Sequence, residues 1–516
     1  MTGPRIFTES LDTLAGALED GAAWLDTPTI PWKRIVAGLL WAVYLFETLV
    51  ALRQYRLYDE PTPPNALVAH VSLDTFRKSQ AYGKDKARMA LVSQGIEHAF
   101  SLAVVAFDVY ARVWVWSGDV LDALGVPARE VTQTAVWVVL MAALREAIAV
   151  PLTVYRHFVI EERHGFNKLT LKTYTVDMVK EWALSMAIGV PLVALVVVVI
   201  RWAGRYFVVY TVLFLTVVIL FFTVLYPTVV QPLFNELVPL PEGALRDRVT
   251  ALARTLGFPL RHLYVIDGSR RSSHSNAYFY GVVPGGSKHI VIYDTLIEKS
   301  TPEEIEAVLA HELGHWAYSH PTKLLLLSQA HLVLTLTLFT LFMHNMSLFA
   351  AFGFYIGPAS ASHGAHAFAP YLPVFVGLEL FQLVLNPSDA LLKFAINAVV
   401  RRMEYAADRF AALHDRPART AAEHAARDLY KSPRDADEPL DATVANWMQE
   451  IDEGEVDIVD EEQETYTALL SRALVKLHVH NLSSMHHDPW YSAYHYSHPT
   501  LVERLVALDA LQRKQA

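Results

Sequence analysis

The clearest apolar run in the chain occupies residues 206–226 and reads YFVVYTVLFLTVVILFFTVLY. The uncharged stretch that contains it continues to residue 235. A helix needs about 20 apolar residues to cross a bilayer, so this run predicts a transmembrane helix. Comparable runs lie elsewhere in the chain, near 35–52, 96–116, 132–154, 182–200, 324–343 and 371–392. About seven such spans predict an α-helical polytopic membrane protein.

In chain order, the second run (96–116) and the third run (132–154) contrast with the uncharged run 206–226, because they contain several charged or titratable side chains. The second holds Glu97, His98 and Asp108, and the third holds Arg145 and Glu146. Charges at membrane depth usually face a bundle interior or an aqueous cavity. These two runs could also be amphipathic helices that pack on a soluble domain, and the sequence leaves both interpretations open.

Composition agrees with a membrane protein and excludes several chemistries. Of the 516 residues, 53% are hydrophobic and only 19% are charged, whereas about 25% are charged in soluble domains. The chain has no cysteine, which excludes disulfides, iron–sulfur clusters and thiol nucleophiles, so a metal would need His, Asp or Glu. The stretch from Asp435 to Glu464 contains more than ten acidic residues, which is enough to account for the net charge of −10. The rest of the chain is therefore close to neutral, and we expect no nucleic-acid partner.

Basic residues alternate between the loops and predict the orientation of the chain. Lys and Arg are concentrated in residues 53–88 and 156–180, whereas residues 345–371 contain none. Because basic loops stay in the cytosol, we expect a luminal N-terminus and cytosolic segments at 227–323 and 393–516. The first thirty residues lack a basic region before a short apolar core, so we expect no cleaved signal peptide.

The cytosolic segments differ in character. Residues 236–320 have a mixed α/β pattern, with a helix predicted over 246–256 and strands over 263–266 and 289–292. The acidic stretch predicts a surface insertion that is largely disordered. We divide the chain into an N-terminal segment (1–30), membrane helices one to five (31–235), a cytosolic protease segment (236–323), membrane helices six and seven (324–392), a helix with a metal ligand (393–431), the acidic insertion (432–464) and a C-terminal cytosolic segment (465–516).

The pentapeptide His311-Glu312-Leu313-Gly314-His315 carries the sharpest chemical signal. Thr301-Pro302-Glu303-Glu304 forms a capping box with proline at the first helical position, which predicts a helix through the motif. Residues four apart lie on one face of a helix, so His311 and His315 can bind one ion while Glu312 acts as general base on a water. Two surface histidines that bind nothing are the alternative.

A third ligand is available in the helical run 393–414. Catalytic zinc uses three protein ligands, and Glu404 can complete a His₂Glu set. Asp408, one turn further on, can accept the N–H of a ligating histidine and fix its tautomer. Taken without the pentapeptide, two acids at this spacing could equally be solvated.

Two polar clusters, at residues 270–281 and 495–499, remain undecided from their chemistry. Each could supply hydrogen-bond donors to an oxyanion or to substrate backbone beside the metal. Considered alone, each is an ordinary loop segment.

The chain resembles the type I CaaX prenyl proteases, which are multi-spanning zinc metalloendopeptidases. The matching stretches are 158–167, 268–281, 311–316, 401–408 and 490–504. The resemblance implies one Zn²⁺ per chain, held by His311, His315 and Glu404, with Glu312 as the base. It also implies that Asn276 and His498 lie beside the catalytic centre. We expect His498 to bind the oxyanion and Asn276 to bind the substrate backbone or the oxyanion, and the two roles could be exchanged.

The resemblance further implies a fold and a function. We expect seven helices enclosing an intramembrane chamber, with a cytosolic α/β zincin-like domain, in the membrane of the endoplasmic reticulum or inner nuclear envelope. Expected partners are the lipid bilayer and isoprenylated CAAX proteins, which would lose their last three residues. The alternatives are a membrane quality-control metalloprotease and a catalytically silent chamber or transporter. A protease with its motif inside the membrane is disfavoured, because Glu303, Glu304 and Glu306 precede the pentapeptide.

Overall fold

A computed structural model describes residue 18 and residues 20–281, 288–357, 367–413 and 465–515. The acidic insertion predicted at 432–464 lies outside the described residues. The chain is mostly helical, and its N-terminal part consists of consecutive helices: α1 (Trp32–Leu57), α2 (Leu73–Ala106), α3 (Val109–Ala123), α4 (Glu130–Tyr155), α5 (Leu171–Ala203) and α6 (Phe207–Leu225). A π-helical turn, Arg156–Glu161, continues from α4.

The span predicted near 96–116 is not one helix, which corrects the sequence interpretation. α2 ends at Ala106, and Asp108 has a left-handed backbone with φ of +51° before α3 begins. The Asp108 carboxylate lies 2.7 Å from Nζ of Lys33 on α1. A left-handed residue cannot continue an α-helix, so the apolar run is divided between the end of α2 and the shorter α3.

The soluble part begins with a four-stranded sheet. Its strands are β1 (Leu237–Pro239), β2 (Leu260–Ile266), β3 (Ala277–Tyr280) and β4 (Lys288–Tyr293), and helix α7 (Ala244–Thr255) separates the first two. The order is β1-β2-β4-β3, with β2 and β4 parallel and the outer pairs antiparallel. Both predicted strands lie within β2 and β4, and the predicted helix matches α7 except for its last residue, Leu256, which is the C-cap.

Two helices follow the sheet, α8 (Asp294–Lys299) and α9 (Pro302–Ala317). The predicted capping box is present: the Glu304 N–H donates to Thr301 Oγ1 (3.4 Å), and the Thr301 N–H donates to Glu304 Oε2 (2.9 Å). The buried side chains of α9 pack in one core with α7 and the sheet. This helix therefore starts at a defined residue and is fixed on its apolar face.

The rest of the described chain returns through the membrane and back to the soluble part. Its elements are α10 (His320–Phe339), α11 (Met346–Ala351), the parallel strand pair β5 (Phe354–Ile356) and β6 (Ala367–Ala369), α12 (Val374–Leu413), α13 (Tyr466–His480), α14 (Pro489–His495) and α15 (Leu501–Gln515). Helix α12 is continuous across the segment boundary predicted between residues 392 and 393. One 40-residue helix therefore joins the last membrane span to the predicted third ligand.

Within the described residues, six helical stretches are long and apolar enough to cross a membrane. One of them, Leu171–Leu233, contains both α5 and α6, which a short turn at Gly204–Tyr206 separates. On α6 the apolar side chains of Val209, Leu213 and Val217 are each more than half exposed, as contact with lipid requires. The chain is a multi-pass α-helical membrane protein with a soluble α/β unit, as the sequence predicts.

Candidate metal centre

Three side chains converge between α9 and α12. His311 Nε2 and His315 Nε2 lie 3.2 Å apart. The Glu404 carboxylate is 3.5 Å from His311 Nε2 and 3.3 Å from His315 Nε2. His311 and Glu404 are 6% and 3% exposed, so the group is shielded from solvent.

The contact between α9 and α12 depends on Gly314, the fourth residue of the pentapeptide. A β-carbon at Gly314 would lie 3.1 Å from Cα of Ala407 and 3.1 Å from Cβ of Phe410 on α12. Such contacts are closer than most side chains make, so glycine lets the two helices approach without displacing their neighbours. The approach brings Glu404 to the two imidazoles.

The donor set fits a tetrahedral transition-metal ion. Ligand atoms about 2.0–2.1 Å from such an ion are separated by about 3.4 Å, close to the three separations in this group. Oε2 of Glu404 is buried and has no hydrogen-bond partner, which is costly unless a cation is bound there. Among the described residues, these are the three that form a potential metal-binding group.

Asp408 and Arg504 hold His311 from its other side. Asp408 Oδ1 lies 2.8 Å from His311 Nδ1, and Arg504 Nε donates to Asp408 Oδ2 over 2.9 Å. Burial opposes the charged imidazole, but the hydrogen bond to Asp408 and the nearby Glu404 carboxylate raise the pKa of His311 to about 9. The Asp408 contact fixes the Nδ1–H tautomer and leaves Nε2 for the metal.

His320 occupies the equivalent position beside His315. The two Nδ1 atoms lie 2.9 Å apart, and His320 is 4% exposed. A metal on Nε2 of His315 requires a proton on its Nδ1, which then donates to an unprotonated Nδ1 of His320. Each histidine of the group therefore has its own orienting neighbour.

Glu312 lies between the two histidines in sequence but outside the group of three potential ligands. Its side chain is partly buried, and burial raises the pKa of its carboxyl above the ordinary value of 4.5. A higher pKa brings a carboxylate closer to the range in which it can both accept and return a proton near neutral pH.

The loop between α14 and α15 carries His498. Its Nδ1 lies 3.9 Å from Glu404 Oε1. Arg401, one turn before Glu404 on α12, donates to Ser492 Oγ over 2.7 Å and to Glu503 Oε1 over 2.7 Å. Because these bonds connect both flanking helices to α12, the loop is fixed with His498 beside the ligand group.

Asn276 lies at the start of the edge strand β3. Its Oδ1 accepts a hydrogen bond from the Ala277 N–H (2.9 Å), and its carbonyl accepts one from the Tyr293 N–H (3.0 Å). The side chain is exposed. The structure therefore brings His498 close to the ligand group, whereas Asn276 is at the rim of the sheet.

Sequence reasoning missed two residues of this centre, Arg504 and His320. Arg504 is the last residue of the stretch 490–504 that resembles the family, and this position was the one sign in the sequence that it belongs to the centre. His320 follows His315 by five residues, but Ser319 has a left-handed backbone with φ of +54° between α9 and α10. Helical periodicity therefore could not position His320 against His315.

Two cavities lie between the helices, and the first of them reaches His498. The first, of about 890 Å³, is lined by His498 and Ser497 together with residues of α2 and α4. The second, of about 840 Å³, is lined by Asn167, Arg271 and His274 on the opposite side. Lys86, Thr153 and Arg156 line both cavities and so form the boundary between them.

Two family models match adjoining parts of the chain. Residues 54–236 match the model described as "CAAX prenyl protease N-terminal, five membrane helices". Residues 239–512 match "Peptidase family M48". Together they cover the membrane helices from α2 onward and every residue of the centre, whereas most of α1 precedes the first match.

Several named proteins are similar to this chain over nearly their whole length. "CAAX prenyl protease 1" of Saccharomyces cerevisiae is 34% identical over 496 residues, which cover 95% of this chain and 98% of that protein. "CAAX prenyl protease 1 homolog" is 36% identical in Arabidopsis thaliana and 32% in Homo sapiens, covering 94% and 93% of this chain and 99% and 96% of those proteins. The crystal structure of S. mikatae Ste24p superposes with a TM-score of 0.78 at 34% identity and covers 94% of this chain and 100% of that one.

Proposed function

Since this chain belongs to peptidase family M48 and is a membrane metalloendopeptidase, we propose that it removes the C-terminal tripeptide from isoprenylated CAAX proteins. The observation that carries the proposal is the buried His311–His315–Glu404 group, with Glu312 beside it. The printed names of its relatives support the substrate class.

We assign one zinc per chain to this group. Two imidazoles and one carboxylate are the ligand set of catalytic zinc in hydrolases, and the chain has no thiolate to offer. When bound, zinc would polarise the scissile carbonyl and lower the pKa of a water. The Asp408 and His320 contacts keep both imidazoles in the tautomer that this requires.

Glu312 moves the proton. Its carboxylate accepts a proton from the attacking water and then donates it to the leaving amine, so one group serves as base and then as acid. Its partly buried position and raised pKa suit both steps. The amine product leaves as the released tripeptide.

His498 and Asn276 bind the reacting peptide. We assign His498 to the developing oxyanion, because its ring lies nearest the ligand group, and Asn276 to the substrate backbone at the edge of the sheet. The reversed assignment is distinguishable by kinetics. Loss of the oxyanion donor lowers kcat, whereas loss of a ground-state backbone contact raises KM with little change in kcat.

The isoprenyl chain supplies anchoring energy. At about 0.8 kcal/mol per buried CH₂, a farnesyl group binds apolar surface by several kcal/mol. The catalytic centre lies where membrane helices meet the soluble unit, so lipid and peptide can be bound at once. We therefore expect the prenyl group to lower KM more than it changes kcat.

The test compares farnesylated and unprenylated CAAX peptides of one sequence, with purified protein in detergent. Mass spectrometry should detect loss of three C-terminal residues, with a lower KM for the farnesylated peptide. Equal efficiency on both peptides, or cleavage at many bonds, would favour a quality-control protease. An absence of turnover by metal-loaded protein would favour a silent chamber or transporter.

We place the protein in the endoplasmic reticulum or inner nuclear membrane, with the catalytic centre facing the cytosol. The alternation of basic loops supports this orientation. A glycosylation acceptor introduced near residue 10 should be modified in cells, and one near residue 510 should not. The opposite pattern would place the centre in the lumen and contradict the assignment.

A further inference from the structure

We propose that Lys86 and Arg156 bind the free C-terminal carboxylate of the substrate and thereby measure the distance from the chain end to the cleaved bond. This inference rests on the proposed function, since it concerns a substrate cut three residues from its C-terminus. It assigns a role to two cations that the metal centre does not use.

Both cations face the cavity that reaches the catalytic centre. Lys86 on α2 and Arg156 at the start of the π-helical turn line the 890 Å³ cavity, and His498 lines the same cavity. His498 is in turn 3.9 Å from Glu404. A peptide in this cavity can therefore contact the centre at one end and the two cations at another.

The surrounding contacts leave the Lys86 and Arg156 charges available. Nζ of Lys86 lies 4.0 Å from the ring centroid of Tyr82, a cation–π contact that does not neutralise the charge. The neighbouring carboxylate, Glu161, accepts the Tyr82 hydroxyl proton, with its two oxygens 2.8 and 2.9 Å from the hydroxyl, and lies 3.8 Å from His274. Glu161 can therefore offset at most one of the two positive charges of Lys86 and Arg156, and the other charge remains for a ligand.

The other acids that face these cavities are distributed unevenly. Glu97 is the acid that lines the first cavity, and it lies three turns from Lys86 along α2, about 16 Å away. Glu146, Asp177 and Glu181 line the second cavity, where Asp177 is 3.0 Å from Arg271. A substrate carboxylate is therefore favoured on the first-cavity side of the Lys86–Arg156 pair.

The dimensions of the cavity suit a tripeptide. Three extended residues span about 10 Å, and a cavity of about 890 Å³ has room for them. With the carboxylate bound to the pair, the scissile carbonyl would lie about one tripeptide length away, on the side of His498, which lines the same cavity. Arginine binds carboxylates with two parallel hydrogen bonds, which fixes the peptide end as well as attracting it.

The backbone around Arg156 is also unusual. Residues Arg156–Glu161 form a π-helical turn, a conformation that is rare and often marks functional positions. This turn brings Arg156 to the boundary of the cavities and Glu161 to Tyr82. The π-helical turn therefore positions both Arg156 and the neighbouring carboxylate of Glu161.

The first test uses the wild-type protein and two farnesylated CAAX peptides of one sequence, one with a free C-terminal carboxylate and one with a C-terminal amide. We expect KM for the amide to be about 10- to 100-fold higher, as for the loss of a charge-assisted hydrogen bond. Equal KM values would overturn the proposal. Since the acid peptide is still cut in that case, the proposed function would stand, whereas failure to cut either peptide would refute that function instead.

The second test locates the effect. Lys86→Met and Arg156→Gln should each raise KM for the acid peptide and leave KM for the amide nearly unchanged. Lys78→Met and Arg163→Gln are matched controls, because these residues pair with Asp74 and Asp85 and do not line either cavity. An acid-over-amide preference that survives in both cavity variants would overturn the assignment. If a variant does not fold, Lys86→Arg and Arg156→Lys, which keep the charge, must keep the preference.

Discussion

The α-carbon of Ala407 lies 3.1 Å from the position that a β-carbon on Gly314 would occupy. This closeness brings the two histidines of α9 to Glu404 on α12. Gly314→Ala should push the helices apart at a cost of about 1–3 kcal/mol and lower metal occupancy, as measured by elemental analysis. Gly189→Ala is the control, because nothing lies within 4 Å of that position. Full occupancy in Gly314→Ala would show that the helix approach does not set the ligand geometry.

Asp408 should matter for both metal affinity and stability. Asp408→Ala removes the partner of His311 Nδ1, which should weaken metal binding about 10- to 100-fold. It also leaves the buried Arg504 guanidinium without its carboxylate, at a cost of about 3–5 kcal/mol. Competition with a chelator and thermal unfolding measure the two effects. Asp509→Asn, in an exposed pair with Arg513, should change neither, and equal behaviour of the two variants would contradict the role of Asp408.

His320 should act only through His315. His320→Ala removes the acceptor for the His315 Nδ1–H and should weaken metal binding about 10- to 100-fold. His320→Asn offers an amide oxygen as acceptor and should recover part of that loss. His331→Ala, on the same helix α10, is the control for general destabilisation. If the Asn variant bound metal no better than the Ala variant, a purely structural role would be indicated.

Metal binding should be strongly pH-dependent. In the metal-free protein the pKa of His311 is raised to about 9, whereas the ligating imidazole must be neutral. Affinity should therefore rise with pH by up to about tenfold per unit until pH reaches about 9, with proton release on binding. Titrations between pH 6.5 and 9.5 measure this slope. An affinity that is constant above pH 7 would contradict the raised pKa.

The same shift has a consequence for the metal-free protein. A histidine whose pKa is higher in the folded state contributes stability that is complete below its unfolded value of 6.5 and is lost as pH rises through 9. Thermal unfolding of the chelated protein should therefore occur at lower temperature at pH 9 than at pH 6.5. His311→Asn should remove this dependence.

The membrane fold was predictable where the signal is local. The uncharged run at 206–226 corresponds to α6, because a span needs only apolar composition and length. The break at Asp108 was not predictable, since it depends on a left-handed residue and on an ion pair with Lys33, 75 positions earlier in the chain. The sequence also did not show that the last membrane span and the segment with Glu404 form one helix, because the composition changes near residue 392.

The candidate metal centre was likewise predictable from the sequence only in part. The spacing of His311 and His315 on a capped helix was sufficient to predict a shared ion, and the acid pair on α12 supplied a plausible third ligand. Arg504 and His320 reach the centre through tertiary contacts and a left-handed Ser319, which no periodicity encodes. The Lys86–Arg156 pair likewise depends on how α2 and the π-helical turn meet.

The most direct test of the central claim is a paired measurement on Glu312→Gln, its zinc content and its rate of cleavage of a farnesylated CAAX peptide. We predict about one zinc per chain, as in the wild type, because Glu312 is not a ligand. The cleavage rate should fall by a factor of about 10²–10⁴, the usual contribution of a general base. His311→Ala, measured in parallel, should lose both zinc and activity. Wild-type turnover by zinc-loaded Glu312→Gln would contradict the account.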